Sequence, residues 1–129
     1  MNVELEYYLD WRKINMSLTK LVFGNGNIIL GVDLFGCIHA YETPDSKKCG
    51  TNAEDFDPSK CVHHRIPVDS IVDCTTLQKK MTDVENRICD SFDFKGYTFD
   101  FTNYNEESVA VVRQTIKKSV ILYTRLLAC

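Results

Sequence analysis

The final residues, NYNEESVAVVRQTIKKSVILYTRLLAC, carry a helical pattern too apolar to stand alone in water. Val109, Val112, Ile116, Val120, Tyr123 and Leu127 recur at three- and four-residue spacing and line one side of a helix. Asn103 or Asn105 is placed to cap its start, and Glu106 and Glu107 set carboxylates against the positive end of the helix dipole. Helices in proteins draw most of their stability from burying such a face, so the remaining residues must supply a surface to cover it. Val111, Ile121, Leu122 and Leu126 widen the stripe beyond what one sheet face needs. That excess predicts self-association or a protein partner through the C-terminal helix.

The covering surface is written upstream as strands. From Val3 to Trp11 the odd positions are apolar, and Glu4, Glu6 and Asp10 fall between them, the alternation of a half-buried strand. In LVFGNGNIIL an Asn25-Gly26 pair sits between two β-rich runs, and Asn-Gly accepts the positive φ angles of a two-residue hairpin turn. Asp33 and Gly36 then suit the first and fourth positions of another turn, with a strand from Cys37 to Tyr41 after it. The expected product is an antiparallel meander over Leu18 to Tyr41, with the N-terminal strand extending the same sheet. GVDLFG also resembles the first sequence motif of trimeric deoxyuridine triphosphatases, where Gly-x-Asp-Leu follows a short loop. The resemblance covers these residues alone, and that family's other motifs, including its Gly-rich C-terminal arm, are missing. A turn between two strands is the reading retained.

From Glu42 to Lys60 the composition shifts to turn formers, mixed charges and two prolines, a polar loop of roughly 18 residues, long enough to carry function. Beyond Pro67, Cys74, Leu77, Met81, Val84 and Ile88 line one face of a helix, with Asp69, Ser70 or Asp73 as its N-cap. In FDFKGYTFDFT the alternation of Phe92 and Phe94 changes phase at Lys95-Gly96 before Tyr97, Phe99 and Phe101. Such a break marks a bulged strand or a small hairpin. The aromatics are interleaved with Asp93 and Asp100 rather than with Arg or Lys, which favours core packing over stacking on nucleic-acid bases.

A net charge of -3 spread along the chain leaves no basic footprint for nucleic acid and no polybasic arm for a membrane surface. The longest apolar runs are interrupted well short of the roughly 20 residues of a membrane helix. The first residues carry acids in place of a basic secretory n-region, so the expectation is an intracellular protein, cytoplasmic or nuclear, with Cys37, Cys49, Cys61, Cys74, Cys89 and Cys129 reduced. Asn15-Met16-Ser17 matches a glycosylation sequon and reads as a chance tripeptide in that setting.

Chemistry concentrates between Cys37 and His64, a span with all three histidines. Two Cys-x-His pairs, Cys37 with His39 and Cys61 with His63, each point to one face of an extended backbone. Side by side, the two segments would present Cys37, His39, Cys61 and His63 as a zinc set, with Cys49 or His64 able to replace one member. No Cys-x2-Cys knuckle supports it, and a Cys49 to Cys61 disulfide is an alternative. A third option makes Cys61 a nucleophile, paired with His39, His63 or His64 and oriented by Asp33 or Asp57. Signatures of catalytic cysteines, a nucleophile elbow, a phosphate loop and a His-Glu-x-x-His helix are all absent.

The sequence therefore predicts one α+β domain over the whole chain, with helices at about residues 70 to 89 and 105 to 127 packed on an antiparallel sheet. Its expected role is a non-catalytic interaction or regulatory protein. Its Asn, Tyr and Cys content is similar to that of small accessory proteins of large DNA viruses. A small zinc-stabilised module and a Cys/His-dependent hydrolase or transferase are the alternatives.

Overall fold

The computed structural model describes residues 18–43 and 57–128. Its elements run β1 (Thr19–Val22), β2 (Ile28–Val32), β3 (Ile38–Glu42), a 3-10 turn (Pro58–Lys60), β4 (Val62–Ile66), α1 (Ile71–Glu85), β5 (Ser91–Phe94), β6 (Tyr97–Asp100) and α2 (Glu106–Ala128). The class is α+β, with two helices on antiparallel-dominated sheets. The alternating segment from Val3 to Trp11, the sequon, and most of the polar loop lie outside the described residues.

Strands form two sheets rather than the one expected, in the orders β1-β6-β5 and β2-β3-β4. The meander exists, but its members are β2, β3 and β4, and Leu18 to Val22 does not belong to it. β1 instead pairs in parallel with β6, Leu21 opposite Phe99. The reason is packing. Phe23, at the end of β1, stacks on Phe101 with ring centroids 5.0 Å apart, and its N–H donates to the Asp100 carbonyl. Asn25-Gly26 is a turn, as its residues demand, with the Asn25 side chain accepting from the Asn27 N–H. It carries the chain from one sheet to the other and closes no hairpin.

The phase break in FDFKGYTFDFT resolves as a hairpin. Lys95 and Gly96 both adopt positive φ, 52° and 83°, as a two-residue turn between β5 and β6 requires. Phe92 and Phe99 then face each other across the ladder with centroids 4.7 Å apart, and Phe92, Phe94, Phe99 and Phe101 are all buried.

Helix α1 starts at Ser70, whose hydroxyl accepts from the Asp73 N–H, and buries Cys74, Leu77, Met81 and Val84. It stops at Glu85, earlier than the periodicity suggests. Asn86 caps it and Arg87 takes a positive φ of 58°, so Ile88, expected on the buried face, is 72 % exposed. Helix α2 is capped by Asn105, which accepts from the Glu107 and Ser108 N–H groups. Val109, Val112 and Ile116 enter the core cluster shared by both sheets and α1, with Val120 and Tyr123 packed against it. Leu126 and Leu127 prolong the same stripe past the body of the fold and are 45 % and 56 % exposed. No helix among the described residues is long and apolar enough to cross a membrane.

Candidate functional site

Alternation along the meander sends Ile38, Ala40 and Ile66 into the core and leaves His39, Tyr41, His63 and Arg65 on the opposite face. β3 and β4 lie side by side, with Tyr41 opposite His63 and His39 opposite Arg65. The two Cys-x-His segments do therefore meet.

His39 Nδ1 lies 2.7 Å from His63 Nε2, and His39 Nε2 lies 3.0 Å from Asp33 Oδ2. His63 also stacks on Tyr41, with centroids 4.5 Å apart and planes 6° from parallel. Asp33 is held by the turn it begins. Its Oδ1 accepts from the backbone N–H groups of Phe35 and Cys37, and its carbonyl accepts from the Gly36 N–H. Although burial pushes the Asp33 carboxyl upward, the bonds from His39, Phe35 and Cys37 outweigh it and hold the group below the usual carboxylate range. An ionised Asp33 assigns the His39 proton to Nε2, which leaves Nδ1 to accept from His63 Nε2–H. Desolvation, followed by the nearby charges of His39, Arg65 and His64, pushes the His63 imidazole below its ordinary value.

Cys37 is buried beneath this group as a free thiol, its Sγ 3.6 Å from the Ile66 carbonyl. One ligand atom each from Asp33, Cys37 and His39 lie within 4.8 Å of one another. A shallow depression of about 280 Å³ opens beside them, lined by Gly31, Val32, Asp33, His39 and Tyr41. Gly31 sits directly opposite His39 on β2, and its lack of a side chain keeps the depression open.

The remaining candidates go elsewhere. Cys61 is disulfide-bonded, its partner outside the described residues. This corrects the expectation of a reduced thiol there: in this state Cys61 offers neither a nucleophile nor a zinc ligand, and the set of Cys37, His39, Cys61 and His63 is not assembled. His64 alternates to the inner face, where its Nε2 lies 3.3 Å from Glu42 Oε1 and its ring meets the edge of Tyr97. Asp57 caps the 3-10 turn, its carboxylate accepting from the Ser59 N–H and hydroxyl. Cys74 belongs to the core, and Cys49 and Cys129 lie outside the described residues. Sequence reasoning missed Tyr41 and Gly31, whose shared face with the histidines becomes visible only once the register of β2, β3 and β4 is known.

Comparison with protein-family models, curated proteins and solved structures finds no match to this chain.

Proposed function

We propose that the protein is a non-catalytic interaction or regulatory module that docks a protein partner, or a second copy of itself, through the turn between β2 and β3 and the last turns of α2. The observation that carries this reading is the pair Leu34 and Phe35, 82 % and 65 % exposed on a turn whose backbone is fixed. Asp33 ties the turn from within. The Ser119 hydroxyl on α2 donates to the Gly36 carbonyl and ties it from below. Two large apolar side chains presented on a rigid support lose little freedom on binding, which is what an interface anchor requires. Leu126 and Leu127, on the stripe of α2 that also carries Ser119, supply further apolar surface.

Sedimentation over a concentration series, combined with affinity capture from the native cell, tests this with the wild type and a Leu34→Ser, Phe35→Ser double variant. Neither side chain is buried, so the denaturation midpoint should stay unchanged while association weakens about tenfold or more. A strict monomer that captures the same proteins with and without these two side chains would overturn the reading.

An intracellular location, cytoplasmic or nuclear, is part of the same proposal, and the Cys61 disulfide is the observation it must accommodate, because disulfides persist mainly in oxidising compartments. Rapid thiol trapping in the living cell decides it. Cys61 alkylated as a free thiol supports the location, and Cys61 recovered only after reduction places the protein elsewhere.

A further inference from the structure

We propose that Asp33, Cys37 and His39 form an open divalent-metal site of the zinc class, with His63 as the residue that orients His39. This assignment goes beyond the docking role and does not depend on it.

The donor set comes first. A carboxylate, a thiol and an imidazole are each established zinc ligands, and their mixture of oxygen, sulfur and nitrogen suits a borderline-soft ion better than magnesium or calcium, which want oxygen alone. Zinc bonds of about 2.0–2.3 Å in a tetrahedron place ligand atoms about 3.3–3.8 Å apart. Asp33 Oδ2 and His39 Nε2 are 3.0 Å apart, a little closer than that spacing, and the three ligand atoms fall within 4.8 Å of one another, so side-chain shifts of about 1 Å bring them onto a zinc ion. The ion would take the place of the proton that His39 Nε2 now shares with Asp33, the imidazole changing tautomer to carry its proton on Nδ1, and Cys37 would bind as the thiolate, its S–H proton passing to solvent.

The supporting shell is already built. Ligand histidines usually engage their second ring nitrogen with an acceptor, which fixes ring orientation. His39 Nδ1 already lies 2.7 Å from His63 Nε2, a partner that can reverse its role by changing tautomer, and Tyr41 holds the His63 ring in turn by stacking. With the metal on Nε2, His39 Nδ1–H donates to His63. Asp33 is fixed likewise, since its Oδ1 takes two backbone N–H groups while Oδ2 remains for the ion. His63 is not a ligand, because its bonded nitrogen meets the side of the His39 ring away from Asp33.

Three protein ligands leave a fourth position free. It opens on the depression between Gly31 and Tyr41, large enough for solvent or a small anionic group. The sequence alone points to Cys37 and His39 but pairs them with Cys61 and His63. The structure exchanges Cys61 for Asp33, which lies four residues before Cys37 on the same turn.

The test uses the full chain, stripped of metal under non-reducing conditions and titrated with Co²⁺ alone, followed by Zn²⁺. The expected result is one Co²⁺ per chain, with a thiolate-to-cobalt charge-transfer band and tetrahedral d–d bands that Zn²⁺ abolishes. Cys37→Ser should remove the charge-transfer band. Should that variant fail to fold by circular dichroism, Asp33→Asn gives the second reading, because an amide oxygen keeps the turn bonds while the carboxylate ligand is lost and affinity falls. His63→Ala should weaken binding about 10–100-fold, and His63→Gln, which restores an acceptor for His39 Nδ1–H, should recover part of it. Absence of stoichiometric binding, a charge-transfer band that survives Cys37→Ser, or wild-type affinity in Asp33→Asn would each overturn the assignment.

Discussion

Ser119 is a polar residue in the middle of the apolar stripe of α2, and it is fully buried. Its hydroxyl donates to the Gly36 carbonyl, an acceptor that the β2–β3 turn leaves without a strand partner. Gly36 itself has φ of 89°, and a Cβ there would lie 2.8 Å from the Ser119 carbonyl oxygen and 3.0 Å from Tyr123. The turn and the helix therefore touch backbone to backbone, which only glycine allows. Ser119→Ala strands a buried carbonyl, and we expect it to lower stability by about 1–3 kcal/mol in chemical denaturation. A loss below the error of that measurement would mean that water satisfies Gly36 instead. None of this was legible in the sequence, where a serine among apolar residues reads as a gap in the stripe. The meeting of His39 with His63 was legible in outline, since the alternation of extended backbone puts each Cys-x-His pair on one face. A disulfide at Cys61 was legible only as one alternative among several, because thiol pairing depends on how a long loop returns and not on local spacing.

At the scale of elements, local chemistry read well and partnership read poorly. The caps Ser70 and Asn105, the buried face of α1 and the aromatic hairpin follow from residues within a few positions of each other, and such patterns survive folding. β1 takes β6 as its neighbour rather than β2, because an Asn-Gly pair specifies a turn but not which strand comes to lie beside the previous one. That choice was made by Phe23 and the distant Phe99 and Phe101, through apolar area that no local window contains. Element junctions also carry the fold's sensitivity to acid. At the end of β6 the Thr102 hydroxyl and N–H, with Lys20 nearby, hold the Asp100 carboxyl below its ordinary range against the upward push of burial. At the start of α1 burial pushes Asp73 upward, but the Asp69 N–H and the Lys95 ammonium overcome it and again lower the group. A carboxyl whose folded value is depressed contributes its full stability above the unfolded value of about 3.9 and loses it as pH falls through the folded value. Urea midpoints should therefore hold steady down to about pH 5 and decline below about pH 4, with a shallower decline in Asp100→Asn. Midpoints that ignore pH across this window would show that the pairs do not discriminate between folded and unfolded chains.

At the scale of the whole molecule, α2 is the member against which the other parts are set: it packs on α1 and covers β2 and β3, and its N-terminal half enters the core that the aromatic sheet also lines. Its exposed last turns give the docking proposal part of its surface, and the β2–β3 turn gives the rest: Leu34 and Phe35 stand between Asp33 and Cys37, so the candidate metal site and the docking surface share that turn. The parallel ladder between β1 and β6 has a further consequence, for the order in which the molecule can be assembled. During synthesis β1 emerges early, yet the strand it needs is made only after the whole meander and α1 have appeared. Until then Leu21 and Phe23 have no aromatic sheet to enter, and the unpaired edge of β1 is open to any other extended chain nearby. A ribosome that stalls before Tyr97 would thus release a nascent product already holding its meander strands but unable to close, the form most exposed to aggregation or to capture by a chaperone.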